Sequence, residues 1–224
     1  MCGLYALFGP HARHGQDFAV DAWPDLPDRY RIPPSTWAPV IRQAPDSRRV
    51  ADLLRWGLLP HWAKDETMAR KLINARGESV ADKPSFRAAY RRRRCIVPAS
   101  GFFEWQAVPG STRKQPWFVR IQGGGPMAMA GLWESWTSPQ GEVVRTFCVI
   151  TTGANEVMAP IHQRMPVLLA AADWAAWLDP ETELPRVDRM LQPSPAGMIE
   201  TWPVNPRVSR PQEDGPDLVE PVGS

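Results

Sequence analysis

A few side chains in this 224-residue sequence have the types and surroundings for covalent chemistry. The first is Cys2, in the opening stretch MCGLYALFGP. With Met1 trimmed, Cys2 carries an α-amine beside its thiol, a 1,2-aminothiol that no internal cysteine offers. Such an amine titrates near ~7.7–8.0 and a thiol near ~8.5, so both are partly nucleophilic around neutrality. The amine condenses with an aldehyde to an imine, and the adjacent thiol closes the imine into a thiazolidine ring. Cysteine is small enough for methionine removal, and Gly3 lets the backbone bend without a Cβ clash. A cysteine here serves equally well as a small buried hydrophobe.

Further groups could move protons or hold a substrate around such a reagent. His162 lies in NEVMAPIHQRMPVLL, between Pro160 and Pro166 and close to Arg164. Read blandly, it is a polar residue in a proline-rich turn. Glu104 in GFFEWQ would share a strand face with Phe102 and Gln106. A carboxyl in so aromatic a setting suits a proton shuttle, and a glutamate pointing at water fits the same pattern. Asn74-Ala75-Arg76 puts an amide and a guanidinium on one short loop. The chain also has 11 tryptophans. Most read as core filling; those beside Gly, Pro and charged residues are candidates for an exposed stacking surface.

The elements that must position these groups are mainly strands. Residues 2–9 read as a short buried strand, 29–43 as a loop running into a strand, and 49–62 as a strand broken at Gly57 and Pro60. Residues 73–79 read as a loop opening toward a helix over 83–94, with Pro84 in its first turn and arginines in its last. CIVPASGFFEW reads as strand, turn and strand, and three further strands follow, separated by Gly/Pro clusters. DWAAWLD reads as a helix. The expected fold is α+β: a single domain around a curved, mainly antiparallel sheet or partial β-barrel with a few flanking helices. It would span residues 1–221, with a Pro/Gly/acidic tail over 211–224 lying across the surface.

Composition narrows the function classes. Lys+Arg 26 against Asp+Glu 24 leaves a net charge of +2, so any nucleic-acid surface must be local. The 3 cysteines show neither CxxC nor His/Cys ligand spacing, which argues against a disulfide scaffold or a structural zinc. No metal and no cofactor is expected. The start lacks a signal-peptide pattern, and no apolar run approaches the roughly 18 residues of a membrane span. A cytoplasmic protein with no membrane partner is therefore expected. The 25 prolines are about twice the ~5% norm and are scattered, which suits a loop-rich fold with rigid turns.

Taken in order, the blocks MCG, RY…P (29–34), WGLLPHWAKD, INARGES, KPSFR, RRRCIVPASGFFEW, AGLWESW, VITTGAN and IHQRMPVLL closely resemble the SOS-response-associated peptidase family. PVN and GPDLVEPV extend the resemblance over almost the whole chain. It implies a protein that traps abasic sites in single-stranded DNA as a reversible thiazolidine crosslink, bound to the nucleoid when engaged. Cys2 would be the nucleophile. Glu104 would assist proton transfer, His162 sugar ring opening, and Asn74 would orient the nucleophile. Arg76 and Arg164 would hold phosphates, with Pro34, Trp62 and Trp105 lining the bent strand or stacking on its bases. The run Arg91–Arg94 reads equally well as a solvated helix end. A monomer is expected.

Two positions depart from the family pattern. Leu4 stands where an arginine is common, and Arg31 where an asparagine is common; Arg31 is expected to restore part of the positive field. Rival readings are an N-terminal-nucleophile amidohydrolase or peptidase, since MCG also opens glutamine amidotransferases, and a non-enzymatic single-stranded DNA binder with Cys2 as filler.

Overall fold

The computed structural model describes residues 2–223. The chain opens with β1 (Tyr5–Leu7), α1 (His11–Phe18), β2 (Arg29–Ile32), β3 (Trp37–Gln43) and β4 (Arg49–Trp56). It continues through β5 (Asn74–Arg76), α2 (Arg87–Arg92), β6 (Arg94–Ala99), β7 (Gly101–Ala107), β8 (Lys114–Ile121) and β9 (Met127–Thr137). β10 (Val143–Gly153), β11 (Arg164–Pro166), α3 (Trp174–Leu178), α4 (Leu184–Arg189) and β12 (Ile199–Pro203) complete it.

The strands form two sheets. One is antiparallel, in the order β12-β8-β7-β1-β2. In the other, β10, β4, β3, β6 and β9 pair in a ring, because β9 returns to β10. The β3–β6 side of that ring is narrow, a single Ile41–Ile96 pair, so the barrel is only partly closed. The expected partial barrel in an α+β domain is therefore present. β5 and β11 both add to the C-terminal end of β10, β5 in parallel and β11 antiparallel.

Alternation along the strands explains how the layers fill. Tyr5, Leu7, Phe102 and Val119 of the antiparallel sheet pack with Trp56, Cys95, Met129 and Phe147 of the barrel. The opposite face of that sheet, with Leu4, Ala6, Phe103 and Phe118, packs on Val204, Val208 and Leu218. Residues 211–223 are tied down there: Val222 donates its N–H to the Pro203 carbonyl and Leu218 is fully buried. α2 and α3 cover the barrel's outer face through Tyr90, Trp174 and Trp177. Among the described residues no helix is long and apolar enough to cross a membrane.

Three segments differ from the sequence reading. Residues 29–43 hold two strands rather than one, separated by the turn at Pro34–Ser35. Residues 74–76 are a strand instead of a loop, since they find backbone partners on β10, a pairing too distant for local pattern to reveal. The helix expected over 83–94 is confined to Arg87–Arg92, preceded by a turn in which Lys83 accepts from Phe86 and Arg87. The arginine run divides accordingly. Arg91 is exposed, Arg93 pairs with the buried Glu134, and Arg94 is itself buried, donating to the carbonyls of Tyr90, Arg91, Trp177 and Asp179. Arg94 thus ties α2 and α3 to β6.

A candidate reactive site where the two sheets meet

β1 delivers Cys2. It runs antiparallel to β7, with Tyr5 opposite Phe102 and Ala6 opposite Gly101. The Phe103 N–H continues the ladder to the Leu4 carbonyl at 2.9 Å, which brings the Cys2 end alongside Glu104. Cys2 is fully buried and lies on the Tyr5 side of the sheet, whereas Leu4 lies on the other. The alternation thus breaks at Gly3. Glu104 is 2% exposed and shares the inward face of β7 with Phe102, as the alternation predicts. Burial, and then the charge of Glu104, push the Cys2 thiol well above its ordinary range, so it keeps its proton at neutral pH.

Asn74 comes from the other sheet. β5 lies beside β10 with Asn74 opposite Val149. The buried Trp56 indole donates to the Ile73 carbonyl at 2.8 Å and stacks obliquely on Tyr5, which presses the start of β5 toward β1. Asn74 Nδ2 then donates to the Cys2 carbonyl at 2.8 Å. Its Oδ1 is buried with no hydrogen-bond partner among the described residues.

His162 sits in a closed turn between β10 and β11. Ala154 N–H donates to the Gln163 carbonyl, and the Asn155 side chain caps the turn by accepting from Met158 N–H at 3.0 Å. Met158 and Ile161 of this turn belong to the same apolar cluster as Cys2 and Phe102. His162 Nδ1 lies 3.0 Å from the Arg164 N–H and 3.1 Å from the Arg164 carbonyl oxygen, so the Arg164 backbone holds that edge of the ring.

The two cations flank the end of β10: Arg76 opposite Thr151 and Arg164 opposite Gly153. Arg76 is exposed. Arg164 is not an open cation. Both its terminal nitrogens donate to Glu78, and Nη2 also reaches the Thr151 carbonyl at 2.8 Å and its Oγ1 at 3.2 Å. That pairing holds the Glu78 carboxyl below the usual carboxylate range. Glu78 lies in the INARGES block, yet nothing in the sequence pairs it with Arg164.

Pro34 and the aromatic candidates scatter more widely. Pro34 lies in a turn held at the end of β4, where Ser35 N–H donates to the Trp56 carbonyl. Trp62 is 47% exposed in the turn after Pro60. Trp105 is on the opposite face of β7 from Glu104: it packs against the Leu4–Phe103 cluster and donates Nε1–H to Ser209 Oγ at 3.1 Å. Leu4 packs in that cluster too, and Arg31 Nε donates to the Val208 carbonyl.

Cys2, Asn74 and Glu104 are thus brought together by backbone pairing, and the turn that carries His162 packs on the apolar cluster that includes Cys2. The family model described as SOS response associated peptidase (SRAP) matches residues 1–211. The chain belongs to the SRAP family. Among SRAP relatives, the Bacillus subtilis abasic site processing protein YoqW is 37% identical, with 98% of this chain and 99% of that protein covered. The abasic site processing protein HMCES of Mus musculus is 28% identical over 89% of this chain and 67% of its own length. A solved Bacteroides thetaiotaomicron protein superposes with a TM-score of 0.89 over 98% of this chain and 99% of that one; at 23% identity it bears on the fold alone. A Bordetella bronchiseptica structure gives 0.79 at 25% identity, covering 91% and 100%.

Proposed function

We propose that this chain captures abasic sites in single-stranded DNA by forming a thiazolidine with the α-amine and thiol of Cys2 after Met1 is removed. Met1 lies outside the described residues. The observation that carries the reading is the Asn74 bond to the Cys2 carbonyl beside the buried Glu104, which fixes the backbone of the one residue able to supply both nucleophiles. The names of the relatives, abasic site processing proteins, agree with it.

The chemistry runs as a condensation. The ring-opened abasic sugar presents an aldehyde at C1′. The Cys2 amine adds to that carbon, and loss of water gives an imine. The thiol then adds to the imine carbon while its proton passes to the nitrogen. The net change is loss of one water, and reversal restores it. Each step moves a proton next to Cys2, and Glu104, near enough to act on the Cys2 thiol through its charge, would carry it. The closing step consumes the sulfur and its proton together, and a base beside Cys2 would help the thiol give up that proton as the sulfur adds. His162, its Nδ1 edge held by the Arg164 backbone, would assist sugar ring opening, and the buried Asn74 Oδ1 would accept a hydroxyl of the abasic nucleotide. Arg76, Arg164, Pro34, Trp62 and Trp105 would hold the flanking strand.

The test is to mix the mature protein with an abasic single-stranded oligonucleotide and with its intact counterpart, and run a denaturing gel. The expected result is a heat-resistant slow band with the abasic strand, its mass equal to protein plus DNA minus water, abolished by Cys2→Ala. Equal affinity for both strands with no covalent band would favour a simple DNA binder. Glutamine hydrolysis without trapping would favour an amidohydrolase.

A further inference from the structure

Gln106 lies two residues beyond Glu104 on β7. Its side chain bridges two elements. Oε1 accepts the Trp117 indole N–H at 3.0 Å, and Nε2 donates to the Pro160 carbonyl at 3.0 Å. The amide orientation is fixed by its neighbours: an indole can only donate and a carbonyl only accept. Trp117 stands directly opposite Glu104 across the β7–β8 ladder and packs against the cluster that holds Cys2. Pro160 is two residues before His162, in the turn whose Met158 and Ile161 enter the same cluster.

We propose that Gln106 is a positioning residue for His162. Resting on the function proposed above, the inference adds a link nothing in the known chemistry requires. Through one amide, the strand that presents Glu104 holds the turn that presents His162. Packing of Met158 and Ile161 sets the depth of the turn but is non-directional; the Gln106–Pro160 bond sets its rotation. A carboxylate here would lack the donor that the Pro160 carbonyl takes.

Gln106→Glu keeps the shape and the acceptor for Trp117 but removes the donor to Pro160, whereas Gln106→Met removes both at similar volume. Both are expected to slow crosslink formation about tenfold while changing affinity for intact single-stranded DNA less than about twofold. Thermal melting of the full chain identifies a variant that fails to fold, and the surviving variant then decides. The discriminating measurement is a double-mutant cycle with His162→Ala, in which Gln106→Met should add no further slowing. Additive losses, or unchanged rates in folded Gln106 variants, overturn the inference and leave the proposed function standing. If His162→Ala itself has no effect while Cys2→Ala abolishes the crosslink, the role given to His162 is wrong and the inference falls with it.

Discussion

The Asn74 side-chain amide donates to the Cys2 backbone carbonyl across 2.8 Å, joining a strand at the edge of the barrel to the segment leading into β1 of the other sheet. The bond links residues 72 positions apart. It acts on the backbone of Cys2, which is the end a nucleophilic α-amine would occupy.

Asn74→Ala should therefore slow crosslinking by at least about tenfold, since the amine loses its fixed approach. Asn74→Asp should be as slow or slower, because its carboxylate faces the Cys2 carbonyl without a donor. Affinity for intact single-stranded DNA should stay within about twofold. Time courses on denaturing gels and fluorescence anisotropy separate the two quantities; a parallel fall in both would show that Asn74 serves DNA binding instead.

The Glu78–Arg164 fork leads to an opposite pair of effects. A carboxylate and a phosphate ask for the same face of the guanidinium. Glu78→Gln should free Arg164 and raise single-stranded DNA affinity about two- to fivefold, the size of an exposed ion pair. Arg76→Ala should weaken binding and reduce the slope of log K against log salt by about 0.7, one phosphate contact. An unchanged slope would take Arg76 off the DNA path.

Alkaline pH should destabilise the fold. The thiols of Cys2, Cys95 and Cys148 are buried and all shifted up, chiefly by desolvation. A folded-state value above the unfolded one means the folded chain keeps protons that the unfolded chain gives up. The stabilisation is thus complete below the unfolded thiol value of about 8.5 and shrinks as pH rises beyond it. Melting temperature should be flat between about pH 7 and 8 and fall above about pH 8.5. Cys148→Ala should start lower but fall less steeply, by up to about 1.4 kcal/mol per pH unit for one thiol. Parallel curves for the two proteins would refute the assignment.

Much of this site was legible in the residues, and the reasons are physical. Period-two alternation alone placed Glu104 beside Phe102 and apart from Phe103, and the α+β class followed from successive strand patterns. Alternation likewise sets Trp105 on the far face from Glu104, whereas the family resemblance implied a common DNA surface. What stayed hidden depends on partners distant in sequence. β5 is three residues long and exists because β10 offers it backbone groups. The occupant of the Arg164 fork and the bridge through Gln106 are tertiary hydrogen bonds, and no spacing rule encodes them.

Glycine at position 101 tests how tightly the frame around Glu104 is set. A Cβ there would lie 2.3 Å from Phe118 Cζ and 2.5 Å from the Val119 carbonyl oxygen. Phe118 is itself 1% exposed and packed on Phe103, so its ring has little room to retreat, and the Val119 oxygen is fixed by the β7–β8 ladder. Gly101→Ala must then push β7 away from β8, three residues before Glu104, and should cost about 3 kcal/mol of stability. Gly153 is the matched control: it too lies in a strand, and nothing stands within 4 Å of its added Cβ. Gly153→Ala should change stability by less than about 0.5 kcal/mol. Urea unfolding of both variants reads the difference directly. In material that still folds, Gly101→Ala should slow crosslinking while Gly153→Ala leaves it alone, because the first displaces Glu104 relative to Cys2. Equal rates for the two would mean that the chemistry tolerates a moved β7, and that the spacing of Glu104 from Cys2 does not set the rate.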